Sequence, residues 1–298
     1  MNPFKFLKKN KPDQDTAEAN ENTPMSEVLG ETEEALILAA LRKKTEEQER
    51  QKALQEQANN VSMQGFDTAI KKAEKYIKGD SYALANEQLG IARKIAAGLP
   101  AERKADIDNG YMRVFNAAID AAAKDARGDY TSLEQAQLDI AYALASKLPA
   151  ERKQDIESGY MKAFDAAIDA AAKDARGDYT GLAGAQLDIA YALAGRLPAE
   201  RKQGIENGFM KVFDATVDAA VKDAKGDYMG LAGSQLDIAY ELTNKLPAER
   251  KLKIKEGLTK VFNAAVKAAE KDAKQCYTNL AQGQLDIANR LKTKIASL

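Results

Sequence analysis

The chain of 298 residues has no histidine and no tryptophan, and Cys276 is its only cysteine. These absences remove zinc sites, disulfide frameworks, cysteine–histidine pairs and serine–histidine triads together. No disulfide can close within the chain, so its stability must come from packing, as expected in a reducing compartment. Aromatic residues are only 6% of a chain that is 45% apolar, and alanine supplies much of the remainder, which calls for helices that approach closely. Neither sign of charge dominates. Forty-four basic and 45 acidic residues leave a net charge of -1, which argues against a nucleic-acid partner, whose affinity rests on a basic excess. The longest apolar run, residues 35–41, falls well short of the roughly 20 residues that cross a bilayer. Lys5, Lys8, Lys9 and Lys11 surround Phe4, Phe6 and Leu7 near the amino terminus, but no signal-peptide core accompanies them. The expectation is a cytoplasmic protein, or one delivered into a host cell by an unconventional route.

What is present is a repeat. The block Leu-Pro-Ala-Glu-Arg-Lys begins at Leu99, Leu148, Leu197 and Leu246, every 49 residues, and a unit of that length carries one helical hairpin. In the second copy Pro100 suits a first helical position, and Ile107, Tyr111, Phe115, Ala118, Ile119, Ala122 and Ala126 keep a helical period. One long helix is predicted over 100–127. Gly128 fits a left-handed cap, and a second helix follows over 131–147. That second helix is apolar on two flanks, through Leu133, Ile140 and Leu144 on one and Leu138, Ala141, Tyr142 and Ala145 on the other, as a helix sandwiched between neighbours must be. The predicted fold class is therefore all-α, an α-solenoid of about five two-helix units at 61–98, 99–147, 148–196, 197–245 and 246–298, laid out as an elongated curved rod. A disordered arm at 1–30, with Gly30 breaking a short helix, and a charged helix at 31–60 precede it. The first unit has Gln51 where the later ones have proline, so its long helix can run on from that charged segment. In the last, Gln275 and Cys276 replace the turn's glycine and aspartate, as terminal units commonly depart from the pattern.

Gly-Asp-Tyr at 128–130, 177–179 and 226–228, followed by Leu133, Leu182 and Leu231, resembles the inter-helix turn of tetratricopeptide repeats. The resemblance covers that turn and the next helix. It departs from the family in its period of 49 rather than about 34 residues and lacks the Trp-Leu-Gly pattern of the family's first helix. It implies a superhelix whose concave face holds peptides or partner helices, and it carries over no binding residue.

Several recurrent residues have both a functional and a structural reading. Arg-Gly-Asp at 127–129 and 176–178 spells an integrin-binding tripeptide, yet glycine, the basic residue and the aspartate each suit the turn, and other units accept Lys-Gly-Asp. Gly110, Gly159, Gly208 and Gly257 fall inside the long helix at a cost of about 1 kcal/mol each, which close helix contact explains better than a hinge. Gln137, Gln186 and Gln235, with Gln88 and Gln284 at the ends, form an amide ladder that can grip a peptide or satisfy the interior of the stack; the internal role is preferred, because the end units keep it. Tyr142, Tyr191 and Tyr240 occur only in the three central units, with Arg93 and Asn289 at the ends, and read equally as a partner surface or as core between layers.

The chain thus reads as a non-enzymatic scaffold for a protein or peptide partner, with those tyrosines and glutamines as candidate contacts. No catalytic residue, cofactor or metal site is assigned, since no side chain has an unperturbed pKa near neutrality. The near-identical units suggest a bacterial protein. The alternatives are an effector or adhesin acting on host cells, and a peripheral structural protein touching membrane through residues 1–11. Self-association through residues 35–41 stays open.

Overall fold

The computed structural model describes the backbone of residues 25–226 and 228–298, with side chains from residue 34 onward. The basic segment 1–11 and most of the expected arm lie outside the described residues. Ten α-helices and no strand occur among them, and contacts divide the chain into a unit ending at Ala58 and a second, Asn59–Leu298.

Helix α1, Met25–Lys78, belongs to both units. Gly30, expected to interrupt it, lies inside the helix. One glycine costs about 1 kcal/mol there, less than neighbouring Ala, Leu, Glu and Lys residues return through their helix propensity. Every residue from Glu34 to Ala58 is exposed, and local bonds such as that from Gln51 Nε2 to Glu47 Oε1, 2.8 Å, one turn away, support the helix there.

In the second unit the 49-residue period becomes layers. The pairs α3 (Lys104–Arg127) and α4 (Thr131–Ala145), α5 (Lys153–Arg176) and α6 (Thr180–Ala194), α7 (Lys202–Lys225) and α8 (Met229–Lys245), and α9 (Lys251–Lys274) and α10 (Thr278–Ser297) each pack as a hairpin. The C-terminal part of α1 and α2 (Tyr82–Ala96) precede them. The long helices α3, α5, α7 and α9 pack in succession, so this unit is the all-α solenoid that the period requires. Long helices begin later than the sequence suggests. Pro100 is extended (φ -69°, ψ 158°), a 3₁₀ turn occupies Ala101–Arg103, and α3 starts at Lys104. The proline carbonyl accepts from the Arg103 N–H at 3.0 Å, which closes the tighter turn before α geometry sets in.

Glycine also plays a different part in the turn. Gly128 has φ -95°, and the left-handed residue is Asp129, φ 64°, with Asp80, Asp178 and Cys276 in the same conformation. The Tyr130 N–H donates to the Asp125 carbonyl at 3.1 Å, and the bond recurs from Tyr179 to Asp174 and from Tyr277 to Asp272. This is a Schellman closure with aspartate at the position that glycine usually takes; a short polar side chain tolerates it. Gly128 is needed for another reason: a Cβ there would stand 2.9 Å from Cδ2 of Tyr130.

Between layers, one contact repeats four times. A Cβ on Gly110, Gly159, Gly208 or Gly257 would stand 2.6 to 2.9 Å from Cε1 of Phe66, Phe115, Phe164 or Phe213 in the preceding long helix. All four phenylalanines are fully buried. The helical glycines are therefore sockets for aromatic rings, the close-contact reading of the sequence. At the rim, the motif arginines reach back one layer, Arg103 to Asn60, Arg152 to Asn109 and Arg250 to Asn207. A surface ladder runs beside them, with Lys162 to Asp120 at 2.7 Å, Lys211 to Asp169 at 2.6 Å and Lys253 to Asp214 at 2.7 Å.

Candidate interaction surfaces

The tyrosine stripe lies in the seams between layers. The Tyr142 ring meets Tyr160 of the next long helix at 5.5 Å between centroids, and Tyr191 meets Phe209 at 4.9 Å. From outside, the Arg196 guanidinium covers Tyr142 at 3.7 Å, Lys245 stands over Tyr191 at 4.9 Å, and Lys294 over Tyr240 at 5.6 Å. All three hydroxyl oxygens are buried without a well-formed hydrogen bond, and burial raises the pKa of each phenol. Each ring is thus clamped between an aromatic or apolar layer and a cation of its own chain. In the first unit Arg93 takes the stripe position and lies near Tyr111, the register mate of Tyr160; in the last, Asn289 takes it.

The glutamines named as candidate contacts need correction. Gln137, Gln186, Gln235 and Gln284 have no exposed surface, so no partner reaches them. Their amides bind inward: Gln137 donates to the Asp125 carboxylate, Gln235 to Asp223 at 2.7 Å, and Gln284 to Asp272 at 2.8 Å. The aspartates are themselves almost fully buried, which is why each needs a donor.

The third layer breaks this pattern. Gln186 donates to the Ala126 carbonyl at 3.5 Å, and both oxygens of Asp174 are left without a partner. The cause is Glu134 in α4. It is fully buried, at the register occupied by Ala85, Ala183, Ala232 and Ala281 in the other units, and neither carboxylate oxygen has a well-formed hydrogen bond. Burial drives its pKa up to about 8, with the Gln186 amide opposing and the charge of Asp125 adding to the rise. Asp174 is raised as well, by burial and by Asp129, against Lys173.

Two surfaces that the sequence reading did not single out stand open. Tyr130, Tyr179, Tyr228 and Tyr277, at the turns, are 56% to 65% exposed although aromatic. Each follows the turn at the same point of its layer, and at Gly128, Gly177 and Gly226 the ring lies against the glycine two residues before it. The sequence reading of these turns rests on Arg-Gly-Asp and on backbone geometry and leaves out the tyrosine, whose recurrence beside an exposed loop is the pointer. The second surface is an open groove of about 570 Å³ between α7 and α9, floored by Ala264 and Ala268 and rimmed by Lys225, Lys267, Lys271 and Lys274. Its sign is legible only unit by unit. Residues 246–298 hold eleven basic and five acidic residues, against six and eight in each of the three units before.

Among the described residues no cluster of ligating side chains could hold a metal, and no helix is long and apolar enough to cross a membrane. No protein-family model, curated protein or solved structure matches the chain.

Proposed function

We propose that the chain is a non-enzymatic scaffold that binds a protein or peptide partner along its inter-helix turns. The observation that supports this reading is the repeated exposure of Tyr130, Tyr179, Tyr228 and Tyr277 on consecutive layers. Tyrosine gives a large contact area with few rotatable bonds and is enriched at binding hot spots. Rings already seated against a backbone glycine lose little freedom on binding. Arg127, Arg176, Lys225 and Lys274 end the preceding helices and are exposed beside them, so the edge combines aromatic and cationic groups. The seam tyrosines Tyr142, Tyr191 and Tyr240 serve this function indirectly, by fixing the spacing of the layers.

A photo-crosslinking residue placed at Tyr179 tests the proposal, with the same residue at the exposed Glu200, on the 3₁₀ turn that precedes α7, as control. A discrete crosslinked protein from position 179 alone, lost when Tyr130, Tyr228 and Tyr277 become serine, is the expected result. Equal labelling from both positions, or labelling indifferent to the other tyrosines, refutes it.

A further inference from the structure

We propose that the lysine-rimmed groove between α7 and α9 receives the N-terminal part of α1, residues 25–41, from a second copy of this chain. This goes beyond the turn-edge reading and does not depend on it. The two surfaces match in chemistry. The groove has an apolar floor, Ala264 and Ala268, and four exposed lysines, with Glu270 as the one acid among its described lining residues. Lys267, Lys271 and Lys274 make no ion pair with a described residue. Lys267 stands at the register of Asp120, Asp169 and Asp218, so the last groove reverses the sign that the other layers carry there.

The proposed occupant has the opposite character. Residues 25–41 contain Glu27, Glu31, Glu33 and Glu34 and no basic residue, and residues 12–24 add Asp13, Asp15, Glu18 and Glu21, again without a basic residue. The same helix carries the densest run of exposed apolar side chains among the described residues, Leu36 at 71%, Ile37 and Leu38 at 56% and Leu41 at 54%. A run of this kind on a free helix is an interaction site rather than ordinary surface. Its 17 residues span about 25 Å of helix, enough to lie along the groove and set leucines on the alanine floor, and its acidic composition complements the lysines. Residues 34–41 and the groove lysines are exposed, which leaves each surface open to another copy of the chain. The contact joins two different patches, so association either closes by reciprocal exchange or continues head to tail.

Sedimentation of the full chain over a range of concentrations, at low and at high salt, tests this. Reversible association that weakens with salt is expected. Two triple variants, Lys267→Glu/Lys271→Glu/Lys274→Glu and Glu27→Lys/Glu31→Lys/Glu34→Lys, should each associate at least about tenfold more weakly. Mixing them should restore association, because each then offers what the other's groove requires. Circular dichroism of each variant verifies the fold, and Leu38→Ser/Leu41→Ser should weaken association without touching a charge. A monomer at every concentration, association indifferent to the lysine reversals, or no rescue on mixing overturns the proposal. So does binding of DNA or anionic vesicles by the basic unit of a chain that stays monomeric.

Discussion

Replacing Glu134 with alanine should stabilise the protein, and the gain should depend on pH in a set direction. In the folded chain the acid keeps its proton up to about pH 8; unfolded, it titrates near 4.5. Between those values the unfolded state has released a proton that the folded state holds, so stability falls as pH rises through the interval and levels off above it. At about 1.4 kcal/mol per pH unit, the full interval from 4.5 to 8 sets an upper figure of about 5 kcal/mol, and at neutrality about 3 kcal/mol. Alanine fills this register in four other layers, and its presence frees Gln186 to donate to Asp174, as Gln235 does to Asp223. The emptied volume takes back part of the gain, leaving about 2 kcal/mol at neutral pH. Urea denaturation of parent and Glu134→Ala near pH 4.5, 7 and 8.5, with hydrogen exchange of α4 and α6 as the local readout, measures it. Glu134→Gln should lose the pH dependence while keeping a buried polar group. An alanine variant less stable than the parent at neutral pH, or a gain that does not shrink toward pH 4.5, refutes the reasoning.

Other substitutions test the layer contacts. Gly159→Ala adds a Cβ 2.7 Å from the fully buried Phe115 ring; overpacking of about 1–3 kcal/mol should outweigh the helix-propensity gain of about 1 kcal/mol, giving a lower Tm. Asp178→Gly relieves a left-handed aspartate at φ 68° and should raise stability by about 0.5 kcal/mol, read by thermal melting. Tyr240→Phe removes a buried hydroxyl without a well-formed hydrogen bond and should be neutral or stabilising by up to about 1 kcal/mol. Phe164→Ala, which empties the socket opposite Gly208, should cost about 3–5 kcal/mol and open the amides of α5 and α7 to exchange.

Helix pairing and layer order were legible because the period repeats both the apolar pattern and its punctuation. The glycine sockets were legible too, since a glycine that recurs within a helix needs a close neighbour to explain it. The sequence points to Gly128 as the left-handed residue, whereas Asp129 takes that conformation; both residue types enter left-handed space, and the Tyr130 ring that keeps residue 128 a glycine is not placed by local sequence. The seam tyrosines were undecided for a similar reason: the partner of Tyr142 is Tyr160, and their meeting follows from how one layer sits on the next. Glu134 and the basic last unit were visible in principle. One appears when each unit is aligned against the others, and the other when charge is summed by unit rather than over the chain.

The phenylalanine sockets also bear on how this chain can change length. Phe115, Phe164 and Phe213 each offer the same knob to the following layer, and Gly159, Gly208 and Gly257 each offer the same recess to the preceding one. Any central unit can therefore follow any other. Insertion or loss of a whole 49-residue segment leaves every boundary with a matched partner, whereas a shift by a few residues sets a side chain against a ring. Growth in complete courses is cheap for this architecture, and the last unit, with Asn289 in place of tyrosine and Lys267 in place of aspartate, is the one that departs from the interchangeable pattern.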